Sequence, residues 1–446
     1  MIEIHHRKYT FPKVLTLGFI FIILIGTLLL LLPISTRSGS TDFMTALFTS
    51  TSATCVTGLS LVTTATHWTW FGQLVIAILM EVGGLGFMTF AVLMSRLIHQ
   101  RMQMSTKLLA KEAWNFNNVS QVDVIFLIIR LSIGIQILGS ILLFVKFYPR
   151  YGLAKGVWYS IFHSIAAFCN AGFDLFDHGL ADYANDPYVL GVLALLIIAG
   201  SLGFLVWKDI LDYHRTHRLS LHTILALRTG AIITGLSIVI YFITEKNMAQ
   251  LSSHVNFFNR TANTIFMAVT PRTAGMSTFP CSDLSASGLA FTTLLMFIGG
   301  TPGSTAGGIK TTTIGILTIQ TIATLRGKRD TTLAHRRFTQ ENIFRALTLL
   351  FVAIFILFIA VLILIETQKL PEHNPLASIV FEAVSAFGTV GLSVGVTSNL
   401  NLIGKIVIIF LMFIGRVGIF TVMFSIFNTK KQPENYRYPK ESVLIG

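Results

Sequence analysis

Ala53-Thr54-Cys55-Val56-Thr57-Gly58, Ala167-Phe168-Cys169-Asn170-Ala171-Gly172, Thr270-Pro271-Arg272-Thr273-Ala274-Gly275 and Ala386-Phe387-Gly388-Thr389-Val390-Gly391 are four variants of one short loop. Their closing glycines recur at intervals of 114, 103 and 116 residues. A small, carbonyl-rich loop repeated four times in an apolar chain points to a pore lined by backbone oxygens and made by one polypeptide. Glycine at 58, 172, 275 and 391 admits the backbone angles that aim carbonyls inward. The carbonyl donors are then expected at Val56 and Thr57, Asn170 and Ala171, Thr273 and Ala274, and Thr389 and Val390.

Working outward, long apolar runs flank each loop. Residues 14–32, 189–206, 232–243, 346–365 and 406–414 carry no charge, and 124–145 carry only Arg130. Crossing the hydrocarbon core takes about 20 residues, so most of these runs span alone and the rest with their flanks. The segments just before the loops, 41–52, 156–167, 257–269 and 376–386, are too short to cross. They predict re-entrant pore helices, the first opened by Ser40-Thr41-Asp42, whose side-chain oxygens can cap free amides. The negative ends of such helices, pointing at a cavity, favour a cation. The fold class that follows is an all-α polytopic membrane protein. Four tandem helix–pore-loop–helix repeats, at 1–96, 97–215, 216–335 and 336–446, surround a pseudo-fourfold central pore.

The second spans repeat independently of the loops. Met80-Glu81-Val82-Gly83-Gly84-Leu85-Gly86-Phe87 aligns with Ile197-Ile198-Ala199-Gly200-Ser201-Leu202-Gly203-Phe204 and with Met412-Phe413-Ile414-Gly415-Arg416-Val417-Gly418-Ile419. The third copy starts as Met296-Phe297-Ile298-Gly299-Gly300 and then departs into Thr301-Pro302-Gly303-Ser304-Thr305-Ala306-Gly307-Gly308, followed by Ile309 and Lys310. So many glycines with a proline cannot stay helical in mid-span. The aligned copies are expected to continue as unbroken helices.

Composition agrees with a membrane protein. The chain of 446 residues is 53% hydrophobic and 12% charged, against about a quarter charged in soluble domains. The first apolar run is too long for a signal peptide and lacks a small-x-small cleavage site, so it reads as a retained span. The net charge of +13 is asymmetric in placement. With a cytoplasmic N-terminus, the inner segments hold 21 Lys/Arg and 9 Asp/Glu, and the outer ones 9 and 10. That is the positive-inside bias of a cell-membrane protein with both termini cytoplasmic, not a nucleic-acid footprint. Cys55, Cys169 and Cys281 give no pairing framework or metal spacing and read as packing residues. No Gly-x-Gly-x-x-Gly follows a strand, so no cofactor is expected in this chain.

The Thr-Cys-Val-Thr-Gly-Leu, Asn-Ala-Gly-Phe, Thr-Pro-Arg-Thr-Ala-Gly and Gly-Thr-Val-Gly-Leu loops resemble those of the Trk/Ktr/HKT superfamily of potassium transporters. Gly-Gly-Leu-Gly-Phe-Met-Thr-Phe (83–90) and Phe-Ile-Gly-Arg-Val-Gly (413–418) look most like the membrane subunit of bacterial Ktr systems, and the resemblance covers residues 10–440. It implies a selectivity filter at the four glycines and potassium as substrate, bound at filter carbonyls only. It also implies a homodimer on a cytoplasmic ring of RCK subunits, with nucleotide (ATP/ADP or NAD(H)) on that partner. The stretch from Gly299 to Gly308 would be an intramembrane gate, as the resemblance implies. In the HKT branch serine at the first glycine goes with sodium permeation, so Gly58 points to potassium. A sodium-permeable or sodium-coupled cation transporter of the same family is the alternative.

Arg416 and Lys310 are counted with the gate. Arg416 aligns with Gly84, Ser201 and Gly300, so this cation occurs once around the ring. A charge within a span faces a pore or a partner, and Glu81 is a candidate counter-charge for either cation. Arg272 is expected to brace neighbouring backbone. An alternating-access carrier with inverted repeats is disfavoured, because four repeats of two spans and one hairpin all point the same way. A membrane enzyme would need more convergent ionisable groups than Glu81, Arg130, Lys310 and Arg416.

Overall fold

The structure, a computed structural model, describes residues 11–97, 121–177, 179–245, 257–328, 330–369, 374–426 and 439. The basic N-terminus, the stretch 98–120 and nearly all of the C-terminal tail, on which the orientation argument draws, lie outside the described residues.

Repeat 1 comprises α1 (Phe11–Leu30), the pore helix α2 (Phe43–Thr54) and α3 (Trp70–Leu97). Asp42 caps α2 by accepting from the Met44 amide at 3.0 Å, so the expected cap forms. Repeat 2 begins with α4 (Gln121–Cys169), which Gly152, at φ 74°, divides into a span and a pore helix. Its second span is α5 (Pro187–Ser201) followed by α6 (Phe204–Thr216). Repeat 3 contributes α7 (Leu221–Thr244), the pore helix α8 (Phe257–Val269), α9 (Ala286–Phe297) and α10 (Thr311–Leu325). Repeat 4 contributes α11 (Gln340–Thr367), the pore helix α12 (Pro375–Gly388), α13 (Leu402–Val417) and α14 (Ile419–Ile426). A small antiparallel hairpin, β1 (Thr332–Leu333) with β2 (Arg336–Arg337), links repeats 3 and 4.

Among the described residues, the helices long and apolar enough to cross a membrane singly are Pro12–Leu30, Phe126–Cys169, Leu221–Thr244 and Gln340–Thr367, each containing the first span of its repeat. The second spans behave differently. The α5–α6 pair bends by 94° and the α13–α14 pair by 101°. The expectation of unbroken helices in the aligned copies therefore fails for repeats 2 and 4. The hinges are the second glycines of the aligned motif: Gly418 adopts φ 92°, and Gly203 leaves the helical region at the start of α6. The third copy still differs in kind, because an entire non-helical loop separates α9 from α10.

The ring is held by backbone-to-backbone approach. The second span of each repeat packs on the pore helix of the next: α3 on α4, α5 on α8, α9 on α12, and α13 on α2 to close the circle. The first glycine of the aligned motif does a different task, seating each second span against the pore loop of its own repeat. A Cβ at Gly83, Gly200 or Gly415 would run into the carbonyl oxygen of Thr54, Phe168 or Phe387, the second residue of the pore loop in its own repeat. In repeat 3 the corresponding Gly299 abuts the carbonyl of Gly307 within the inserted loop instead. Gly200→Ala should lower stability by about 1–3 kcal/mol through overpacking. Gly191→Ala, with open space around it, should be neutral or slightly stabilising; melting curves of the detergent-solubilised protein distinguish the two.

Candidate functional site

Each pore loop follows the same backbone course. Val56, Asn170, Thr273 and Thr389 take left-handed angles (φ 57°, 58°, 76° and 51°), and two residues later Gly58, Gly172, Gly275 and Gly391 do so again (φ 92°, 69°, 70° and 93°). Two left-handed residues separated by one other turn successive carbonyls out of the helical direction. A side chain tolerates the first position, whereas the second is occupied by glycine in all four loops.

The loops meet at those glycines. A Cβ on Gly58 would lie 2.7 Å from Cα of Gly172, and one on Gly172 would lie 3.1 Å from the Thr57 oxygen and 3.2 Å from the Ala274 oxygen. Gly275 faces Gly391 and the Val390 carbonyl, and Gly391 faces Gly58 and the Thr57 carbonyl. The order 1-2-3-4 thus closes on itself. The carbonyls of Thr57, Ala171, Ala274 and Val390 all lie at this closure. These are the second members of the four donor pairs expected from the sequence. Hydroxyls of Thr57, Thr273 and Thr389 and Oδ1 of Asn170 are buried without a protein hydrogen-bond partner. They add neutral oxygens of the type that suits a cation to the same region.

Against the ring lies the inserted loop. Its ends are pinned by a parallel bridge of Ile298 with Ile309, by the Gly299 amide donating to Ile309 O at 2.8 Å, and by the Thr311 amide donating to Gly300 O at 3.0 Å. Thr301 donates through its amide (3.1 Å) and hydroxyl (3.0 Å) to the Ser201 carbonyl. Thr305 donates through its amide to Gly200 O at 3.2 Å and through its hydroxyl to Phe168 O at 3.1 Å. Asn170, a pore-loop residue, donates to the Thr305 hydroxyl at 3.1 Å. A Cβ on Gly307 would strike the side chain of Thr389 on the opposite pore loop. The residues from Gly299 to Gly308 are thereby brought directly against pore loops 2 and 4.

Four charged residues near the loops each have a distinct set of partners. Arg416 donates to the carbonyls of Gly83 (2.6 Å), Gly84 (2.9 Å) and Thr305, tying repeat 4 to repeat 1 and to the inserted loop. Lys310 folds back on its own loop, donating to Ala306 O at 2.6 Å and Gly307 O at 3.3 Å. Glu81 pairs with neither. It accepts from Gln136 Nε2 at 2.9 Å and from the Cys169 thiol at 3.3 Å, so the expected counter-charge role fails, and backbone carbonyls solvate the Arg416 cation instead. Arg272 lies behind loop 3 and donates to the Thr234 hydroxyl on α7 at 3.0 Å, reaching a side chain where a backbone partner was expected. All three cysteines are buried free thiols.

The TrkH family, described as cation transport proteins, matches residues 13–438. The chain belongs to this family. It is a membrane cation transporter of the Trk/Ktr group, not an enzyme. Among its relatives, the potassium/sodium uptake protein NtpJ of Enterococcus hirae is 47% identical over 99% of this chain and 98% of its own. The Ktr system potassium uptake protein B of Bacillus subtilis is 40% identical over 98% of this chain and 97% of its own. The crystal structure of the potassium transporter TrkH from Vibrio parahaemolyticus shares the fold, with a TM-score of 0.72 over 98% of this chain and 88% of that one at 18% identity.

Within this TrkH-family pore, two kinds of supporting residue escape motif reading. Ser52 and Ser385 donate no recognisable signature, yet their hydroxyl oxygens accept the Gly58 and Gly391 amides at 3.0 and 3.2 Å. Both stand six residues before their glycine, where repeats 2 and 3 have Ala166 and Val269. Comparing the repeats column by column exposes them. Thr305 is the other in its bonding alone: the residue is counted with the gate stretch from sequence, but the motif does not show that its hydroxyl joins loop 2 to the inserted loop. Thr305→Val keeps its shape and should cost about 1–3 kcal/mol for the buried groups left unpaired, read as a lower melting temperature, with Thr318→Val on the exposed face as the neutral comparison.

Proposed function

We propose that this chain takes up potassium across the cell membrane through a filter formed by Thr57, Ala171, Ala274 and Val390 carbonyls at the four-glycine ring. The observation that carries the reading is the closure of that ring: four loops with one backbone course, in contact around a centre rich in oxygen. Carbonyl oxygens arranged this way replace part of an ion's water shell. The names of the relatives, one a potassium/sodium uptake protein and one a potassium uptake protein, share this ion.

The loop from Gly299 to Gly308, with Lys310 and Arg416, is the gate in this proposal. Its contacts with Asn170 and Thr389 support a position across the path beneath the filter, and Arg416 holds its Thr305 carbonyl. Regulation comes from outside the chain: a homodimer docks on a cytoplasmic RCK ring that carries the nucleotide, ATP/ADP or NAD(H). The protein would sit in the bacterial plasma membrane, among lipid, with both termini cytoplasmic, as the positive-inside count indicates. Sodium permeation or coupling is the second reading, favoured by the potassium/sodium uptake name of the 47%-identical relative.

Expression should rescue growth of an uptake-deficient bacterium on low potassium. Gly58→Ser places a side chain at φ 92° against the Ala171 carbonyl, and should lower the potassium-to-sodium flux ratio in liposomes. A Gly58→Ser protein with the parent ratio would contradict the filter assignment. Deleting 300–307 should raise flux in the absence of any cytoplasmic subunit, and Arg416→Gln should raise it by less. Unchanged flux in both would remove the gate from the proposal.

A further inference from the structure

Nine residues before the filter glycine, the pore helices of repeats 2 and 4 carry His163 and Glu382, both buried. The two side chains reach the same register position on the strand that leaves the filter. Glu382 Oε1 accepts the amides of Val394 and Val396, each at 3.2 Å, and the Ser393 hydroxyl, and Oε2 accepts the Thr397 hydroxyl at 2.7 Å. His163 Nδ1 lies 2.7 Å from the Tyr159 carbonyl, which can only accept, so the proton is on Nδ1. Nε2 is left as the acceptor for the Leu175 amide at 3.3 Å. Val394 and Leu175 each stand three residues after their glycine.

The other two repeats lack this arrangement. The aligned positions are Thr49, whose buried hydroxyl has no partner, and Phe266, which cannot accept. In repeat 3 the exit strand is held elsewhere, by Thr270 donating to Met276 O and Thr278 donating to Asn263. Ring order places repeats 2 and 4 across the filter from each other.

Resting on the filter reading above, we propose that Glu382 and His163 are positioning residues for ion selection. They fix two opposite walls of the filter by anchoring the exit-strand amides from behind. Filter glycines have no side chains to hold them, and amides at this depth need acceptors within the protein. A carboxylate facing four donors is a rigid acceptor for a non-helical strand. Loss of the anchor lets one wall relax, and ions of different size are then discriminated less.

The test is potassium and sodium flux in liposomes holding the full-length protein, with folded material selected as a monodisperse size-exclusion peak. Glu382→Met removes the acceptor at near-constant volume and should lower the potassium-to-sodium flux ratio by about tenfold, the effect expected of unpairing a buried amide. Glu382→Gln keeps one oxygen for the two amides, and lets the Thr397 hydroxyl accept from the new nitrogen. It should restore most of the ratio. If Glu382→Met yields no folded protein, Glu382→Asp decides, with an expected intermediate fall. His163→Leu should lower the ratio in the same direction. A parent chain without potassium preference would overturn the filter reading itself. A selective parent whose folded Met or Asp variant keeps the parent ratio would overturn this proposal alone.

Discussion

Backbone that leaves the helix at membrane depth must find its hydrogen bonds inside the protein, and nearly every distinctive feature of this molecule answers that demand. The pore loops satisfy it with amides turned back on their own helices, as when Thr57, Ala171 and Val390 donate to Ser52, Ala166 and Ser385. The inserted loop between α9 and α10 satisfies it by borrowing carbonyls freed at the ends of other elements. Ser201, Gly200 and Phe168 all accept from it. Its own carbonyls are taken by Arg416, by Lys310 and by the Phe204 amide, which the Gly303 oxygen accepts at 3.0 Å. A loop bonded in this way from two other repeats can hold a non-helical course without melting its neighbours.

The same bonds make the ring asymmetric in a directed way. Gly303 accepts the first amide of α6 at the bend after α5, so the inserted loop and the helix that turns away at 94° share a contact. Arg416 performs the matching task on the other side, joining the end of α13 to α3 and to Thr305. A positive charge would be costly here, and three carbonyl partners offset that cost where a carboxylate partner would have brought its own burial penalty. Movement of α6 or of the α13–α14 bend would therefore strain the loop directly.

Much of this was legible in the chain because glycine and periodicity are local signals. The four loops, the pore helix at Phe257–Val269, the cap at Asp42 and the aligned Gly83, Gly200 and Gly415 are read from residue type and spacing alone. The bends at Gly203 and Gly418 were not, although the glycines were in plain view. A glycine only permits a bend, and in repeat 2 the carbonyl of Gly303, a hundred residues away in the chain, takes up the amide that the bend frees. The partner of Glu81 was missed for a related reason. Opposite charges suggest a pair, but Glu81 is taken up by Gln136 and Cys169, and the carbonyls of Gly83 and Gly84 on α3 and of Thr305 in the inserted loop accept from Arg416. Ser52, Ser385 and Glu382 needed both the repeat alignment and the geometry, since serine and glutamate in an apolar helix advertise nothing about what they hold.

The most direct test of the central claim is anomalous scattering from rubidium in crystals of the full-length protein grown with that ion replacing potassium. A peak on the axis of the ring, at coordinating distance from the Thr57, Ala171, Ala274 and Val390 oxygens, is the expected result. An empty ring with rubidium held at side chains elsewhere in the membrane region would contradict the account.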